Sequence, residues 1–184
     1  ARILDVLKER NIQATFFVVG ENVEKYPDLI KRMVEEGHTI GIHCYSHSYD
    51  EIYSSTEDFI IDFERAKEAV LNIVDVEVWC YRFPGGSINT HNKNIYKEII
   101  EEMSQRGYVY FDWNASMEDA VKKATKEQII QNAAESTLQR KKVVMLGHDI
   151  VYNTSISIEE ILDVFPEYEF LPLTKEVTPI QFRQ

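Results

Sequence analysis

His43 and His47 lie four residues apart in Gly41-Ile42-His43-Cys44-Tyr45-Ser46-His47, directly after a short apolar stretch, 39–42, that reads as a strand. Two imidazoles at the mouth of a strand supply paired nitrogen ligands for a borderline ion such as Zn²⁺. The helical zinc motif of metalloproteases needs a glutamate directly after its first histidine, and here that position is Cys44. The pair therefore belongs to a strand end. Three later segments also follow apolar runs: Arg82-Phe83-Pro84-Gly85-Gly86, Asp112-Trp113-Asn114 and Leu146-Gly147-His148-Asp149. They would add a cation, a carboxylate and a third imidazole, the one side chain that ordinarily moves a proton near neutral pH. The remaining histidines, His38 at a turn and His91 near a helix start, are expected to be solvated surface residues.

These residues need a scaffold, and the composition bounds it. A chain of 184 residues with 44% hydrophobic residues can bury the core of one domain, expected here to span 1–184. A formal net charge of −11 argues against nucleic acid, because phosphate neutralisation needs clustered lysine and arginine. It argues equally against an anionic lipid surface. Two cysteines make no disulfide framework, so Cys44 and Cys80 are expected as unlinked, partly buried thiols. No run approaches the length of a membrane span. No partner protein is evident.

Apolar periodicity alternates between strand and helix. The chain opens on a helical stripe, Ile3, Leu4, Val6 and Leu7. Residues 14–19 form a continuous β-branched and aromatic run that suits a strand buried on both faces. A helix over Glu21–Glu36 ends at Gly37, strand 39–43 follows, and Ser55–Asp75 is helical with Ser55 and Asp58 approximating a capping box. Then come a strand over Val76–Phe83, a helix over Lys93–Arg106 and a strand over Tyr108–Asn114. A helix over Gln128–Gln139 opens on a Thr125/Gln128 box, and a strand follows over Lys142–Leu146. A helix over Ser157–Phe165 has a Ser157/Glu160 box, and a short edge strand covers Phe170–Leu173. The alternation predicts an α/β fold with parallel strands. In such folds function collects at the C-terminal strand ends, where the segments above fall.

Taken in order, His43-x-x-x-His47, Arg82-Phe83-Pro84-Gly85-Gly86, Asp112-Trp113-Asn114 and Leu146-Gly147-His148-Asp149 resemble the motifs of the polysaccharide deacetylase family, the NodB-homology domain of carbohydrate esterase family 4. The resemblance runs from Ala14 to Thr174. It implies a distorted (β/α) barrel and metal-dependent removal of acetyl groups from N-acetylated sugars. By that likeness His43 and His47 hold one divalent ion, expected to be zinc, and the Gly85 backbone N–H donates to the oxyanion. His148 protonates the leaving amine, Arg82 orients a catalytic carboxylate, and Leu146 lines the acetyl pocket.

Three departures qualify the resemblance. The family's Thr-Phe-Asp-Asp-Gly motif, source of the catalytic base and the third metal ligand, belongs to a strand before the first helix. This sequence begins at that helix and contains no Asp-Asp pair, so the domain is expected to be N-terminally incomplete, lacking its first strand. Cys44 replaces the usual serine or threonine. Ser116 stands where many members carry the aspartate that tunes the acidic histidine, and Ala120 where they carry a pocket tryptophan. Asp112, by strand parity with Ser116, and Trp113 are the expected replacements. The resulting expectation is a peptidoglycan N-acetylglucosamine deacetylase acting at the cell surface or outside it. Chitin, N-acetylmuramic acid and acetylated xylan are alternative substrates. A non-catalytic carbohydrate-binding barrel and a hydrolase of some other ester or amide are the alternatives of other classes.

Overall fold

The structure, a computed structural model, describes residues 1–182. In chain order its elements are α1 (Arg2–Glu9), β1 (Thr15–Val19), α2 (Gly20–Lys25), α3 (Pro27–Glu35), β2 (Thr39–Cys44), α4 (Tyr49–Ile52) and α5 (Thr56–Leu71). They continue with β3 (Cys80–Tyr81), α6 (Tyr96–Gln105), β4 (Val109–Tyr110), β5 (Ala115–Ser116), α7 (Lys126–Thr137), β6 (Met145–Leu146) and α8 (Tyr152–Asp163). They form two compact units, one of residues 13–112 with the segment from Pro172, the other of residues 1–12 with 113–171.

The first unit is built on a parallel sheet in the order β1-β2-β3-β4. Ile40, Ile42, Cys80, Tyr81, Phe83 and Phe111 are buried, and α5 contributes Phe59, Phe63, Ala66 and Val70 to the buried set. Phe83 stacks on Phe59 at 5.2 Å between ring centroids and meets Tyr81 at the same distance. Burying one such ring contributes about 1.5–3 kcal/mol, which anchors the chain as it leaves β3. The second unit pairs β5 with β6 in parallel. Ile129 and Ala133 of α7 and Ile161 of α8 pack there with Met117 and Phe165. Both sheets are parallel and helices intervene, so the α/β expectation holds.

Several boundaries differ from the sequence reading. The helix expected over 21–36 is two helices, because Tyr26 leaves helical geometry (φ −129°, ψ 55°) ahead of Pro27, which opens α3. Proline disfavours helical backbone in the residue before it and suits a first helical turn. The strand expected over 108–114 is shorter, with only Val109–Tyr110 in the ladder. The Asn114 side chain accepts from the Val144 N–H (2.7 Å) and donates to the Lys142 carbonyl (2.9 Å), so ladder pairing begins only at Ala115 and Met145. The Ser157/Glu160 box does not form. The helix begins five residues earlier, and the Ser157 hydroxyl donates to the Asn153 carbonyl inside it. No strand forms over 170–173. Instead the Leu173 N–H donates to the Thr15 hydroxyl at 2.8 Å, and the Thr39 hydroxyl donates to the Leu173 carbonyl at 3.0 Å. The Thr125/Gln128 capping box is present, and Ser55 caps α5 through the Asp58 N–H.

Candidate active site

In the first unit, β1 and β2 pair residue for residue up to Val18 and Ile42, and the next partners are Val19 and Cys44. His43 is the extra residue of a β-bulge, a device that re-aims a side chain at the end of a strand. Its Nδ1 lies 2.7 Å from the Arg82 carbonyl oxygen. A carbonyl only accepts, so Nδ1 carries the proton and Nε2 is the nitrogen with a lone pair for a metal. The loop that follows is clamped by Asp62 of α5, whose carboxylate accepts from the Tyr45 N–H (2.6 Å), the Ser46 N–H (3.2 Å) and the Ser46 hydroxyl (3.2 Å). The loop carries His47 at a left-handed φ of +58°, uncommon for a residue with a side chain. His47 thereby sits with its ring centroid 5.2 Å from that of His43.

The donor set fits the two-nitrogen part of a zinc site. Cys44 adds nothing to it: the side chain is buried, and burial pushes its thiol far above the usual range. The Cys44 sulfur instead takes the His47 backbone N–H. Both cysteines are free and buried, and burial raises the Cys80 thiol to about 12. Among the described residues no three His, Cys, Asp or Glu side chains stand together as a metal site.

Arg82 is buried, and burial lowers its guanidinium to about 10 despite the charge of Asp112. It donates from Nε to the Phe111 carbonyl (2.9 Å) and from Nη2 to the Asp112 carbonyl (3.2 Å). The Asp112 carboxylate accepts from the Ser87 N–H (2.9 Å), the Ser87 hydroxyl (2.5 Å) and the Phe182 N–H (2.8 Å). Arg82 and Asp112 together pin the two ends of the 82–87 loop. Gly85 in that loop has φ +75° and is exposed while its neighbours are buried.

In the second unit, His148 Nδ1 lies 2.7 Å from Asp119 Oδ1, and the His148 backbone N–H donates to Asp119 Oδ2 at 2.7 Å. The Thr154 hydroxyl donates to the same Oδ2, also at 2.7 Å. Burial opposes the charge of Asp119, yet the hydrogen bonds from His148 and Thr154 outweigh it and hold the carboxyl below its ordinary value. An ionised carboxylate only accepts, so Nδ1 of His148 bears a proton. The His148 side chain is 39% exposed and that of Asp119 1%, an open imidazole backed by a hidden anion. Leu146 and Trp113 are half-buried.

The carboxylate that tunes His148 is therefore Asp119, not Asp112. Strand parity misplaced it because the strand breaks between β4 and β5 and the chain then turns at Glu118, whose φ is +49°. That turn buries Asp119, three residues beyond Ser116. An aspartate in the short stretch after Ser116 was the available signal. Of the two histidines expected at the surface, His91 is there and His38 is not. His38 is buried, its Nδ1 accepting from the Ala14 N–H at 3.0 Å, whereas His91 is exposed but stacks on Tyr49 at 4.7 Å. No helix among the described residues is long and apolar enough to cross a membrane.

A family model described as polysaccharide deacetylase matches residues 1–111. A peptidoglycan-N-acetylglucosamine deacetylase of Bacillus cereus is 29% identical over 177 residues, covering 92% of this chain and 63% of its own length. A peptidoglycan-N-acetylmuramic acid deacetylase of Bacillus subtilis is 34% identical over 122 residues, covering 64% of this chain and 42% of its own length. The chain thus spans less than two thirds of these relatives. The crystal structure of the catalytic domain of peptidoglycan N-acetylglucosamine deacetylase from Eubacterium rectale superposes with a TM-score of 0.93 at 34% identity, covering 98% of this chain and 85% of that one. A polysaccharide deacetylase from Bacillus cereus gives 0.88 at 26% identity, covering 98% and 88%.

Proposed function

This chain belongs to the polysaccharide deacetylase family, and on that premise we propose that it carries the site of a metal-dependent deacetylase acting on peptidoglycan N-acetylglucosamine. The substrate follows the relatives named above, two of which are N-acetylglucosamine deacetylases of peptidoglycan. The cell surface is the corresponding place of action. The observation that carries the reading is the His148–Asp119 pair, since a groove that only binds glycan has no use for a half-exposed imidazole backed by a buried carboxylate.

His43 Nε2 and His47 would hold the ion. Such an ion, when bound, lowers the pKa of its water and polarises the acetyl carbonyl. The protein's own groups do the rest. The Gly85 N–H donates to the oxygen as negative charge develops there, a donor worth about 3 kcal/mol in comparable sites. His148 gives its Nε2 proton to the departing amine, which cannot leave as an anion, and Asp119 stabilises the imidazolium from which that proton comes. Arg82 fixes the His43 tautomer through its carbonyl and holds the loop that bears Gly85. Leu146 and Trp113 are assigned to the walls around the acetyl group and sugar.

The test is acetate release by the full-length protein from purified peptidoglycan, from chitooligosaccharide and from acetylated xylan, before and after chelation. Mass spectrometry of muramidase digests identifies which sugar loses its acetyl group. Metal-dependent loss from N-acetylglucosamine is expected. Loss only from N-acetylmuramic acid or xylan would overturn the substrate, and no release from any would overturn the reaction.

A further inference from the structure

The turn that presents Gly85 has two possible states, and the structure contains a device that selects one. Phe83-Pro84-Gly85-Gly86 is closed by the Gly86 N–H donating to the Phe83 carbonyl at 2.9 Å, with Gly85 at φ +75°. Proline followed by a residue at positive φ defines a type II turn. Turning over the central peptide, Pro84–Gly85, would make it type I, and glycine tolerates both conformations. In a trans peptide the carbonyl and the N–H point in opposite directions, so whatever holds the Pro84 carbonyl also aims the Gly85 N–H.

Two side chains hold that carbonyl. The Tyr53 hydroxyl donates to it at 2.7 Å, and Asn89 Nδ2 donates at 3.1 Å. Tyr53 is buried, and burial keeps its phenol protonated and hence a donor. Asn89 is itself fixed, its Oδ1 accepting from the His91 N–H (2.8 Å) and the Asn92 N–H (3.1 Å). Its Nδ2 also reaches the Gly86 carbonyl at 3.0 Å. Between Cys80 and Ser87 only Gly85 is exposed, and among the described residues its N–H donates to no acceptor. A Cβ at Gly85 would lie 3.1 Å from the Tyr49 hydroxyl, so the position is also closed to side chains.

We propose that Tyr53 and Asn89 are the positioning residues of the oxyanion donor: they pin the Pro84 carbonyl inward and so hold the Gly85 N–H outward. The role rests on the reading of Gly85 given under Proposed function. Without them the peptide can turn over and present a carbonyl, which repels a developing oxyanion. Hydrogen bonds to the carbonyl also polarise the amide and strengthen its N–H as a donor.

Tyr53→Phe removes one hydroxyl, and Asn89→Asp removes both donated bonds while keeping the oxygen that accepts from His91 and Asn92. In the full-length deacetylase each single variant is expected to lower kcat severalfold. The double variant should approach the loss from deleting an oxyanion donor, on the order of 10². KM should stay within about twofold and metal content unchanged. A crystal structure of the double variant should show the Pro84–Gly85 peptide turned over. An unmoved peptide overturns the proposal whatever the wild-type activity, as does a double variant with wild-type kcat, or a loss confined to KM. Where the double variant fails to fold, Tyr53→Phe decides alone: an unchanged kcat overturns the proposal. Wild-type protein inactive on every acetylated glycan, with the peptide turned over in the variant, overturns instead the reading of Gly85.

Discussion

Asp119 holds His148 twice, through the imidazole Nδ1 and through the backbone N–H, both at 2.7 Å, while Thr154 fixes the second carboxylate oxygen from behind. The ring has one orientation and one tautomer. Losing the acid should therefore affect turnover more than binding. His148→Ala is expected to lower kcat on an N-acetylated oligosaccharide by about 10² to 10⁴ with metal content unchanged. On an activated ester, whose leaving group needs no proton, the loss should be much smaller. Equal losses on amide and ester would mean that His148 does something else.

Asp119→Asn keeps the shape of that arrangement and removes its charge. It should lower kcat by tenfold or more and shift the pH–rate profile of the amide reaction, because the imidazolium loses its counter-ion. Asp112→Asn should leave the profile in place. A pH profile moved by Asp112→Asn and not by Asp119→Asn would restore the assignment made from strand parity.

Asp112 predicts a stability effect instead. Its carboxylate is buried and satisfies the Ser87 N–H, the Ser87 hydroxyl and the Phe182 N–H. Asp112→Ala would leave buried donors unpaired and cost about 3 kcal/mol or more, a fall in Tm on the order of 10 °C. Thermal denaturation checks this, and a Tm within about 2 °C of wild type would contradict it.

For the metal, one equivalent of a divalent ion is expected per full-length protein by elemental analysis. His43→Ala or His47→Ala should abolish tight binding, since each removes one of the two nitrogen ligands. Unchanged stoichiometry in both variants would remove these histidines from the site. Cys44→Ser, by contrast, should leave metal content unaltered, because the thiol it replaces is buried and protonated.

His38 sets a pH dependence of stability. Burial holds its imidazole below the usual value of 6.5, against the pull of Glu36 at 3.9 Å and with Arg32 acting in the same direction as burial. The folded pKa is below the unfolded one, so the unfolded chain takes up the proton first. Stability from this group is full above about pH 6.5 and falls as the pH drops through the window below it. Denaturant unfolding at pH 7 and pH 5 should give a larger loss for wild type than for His38→Asn, whose side-chain oxygen stands in for Nδ1 as acceptor from the Ala14 N–H. Equal losses would show that His38 is not the group responsible.

The order of motifs and the alternation of strand and helix are properties of local sequence, and they were legible before any coordinates. The apolar periods place His43, Arg82 and His148 at strand ends. What needed tertiary structure were choices between similar groups separated by a few residues. Asp112 and Asp119 are the same side chain; only the break after β4 and the turn at Glu118 decide which one is hidden behind His148. The bulge that aims His43 arises from the register of β1 against β2, a relation between strands that neither strand encodes alone. His38 looked like a turn residue until Phe16 and the Ala14 N–H closed over it. Periodicity reports which face of an element is apolar; which polar group another segment will satisfy depends on where that segment arrives.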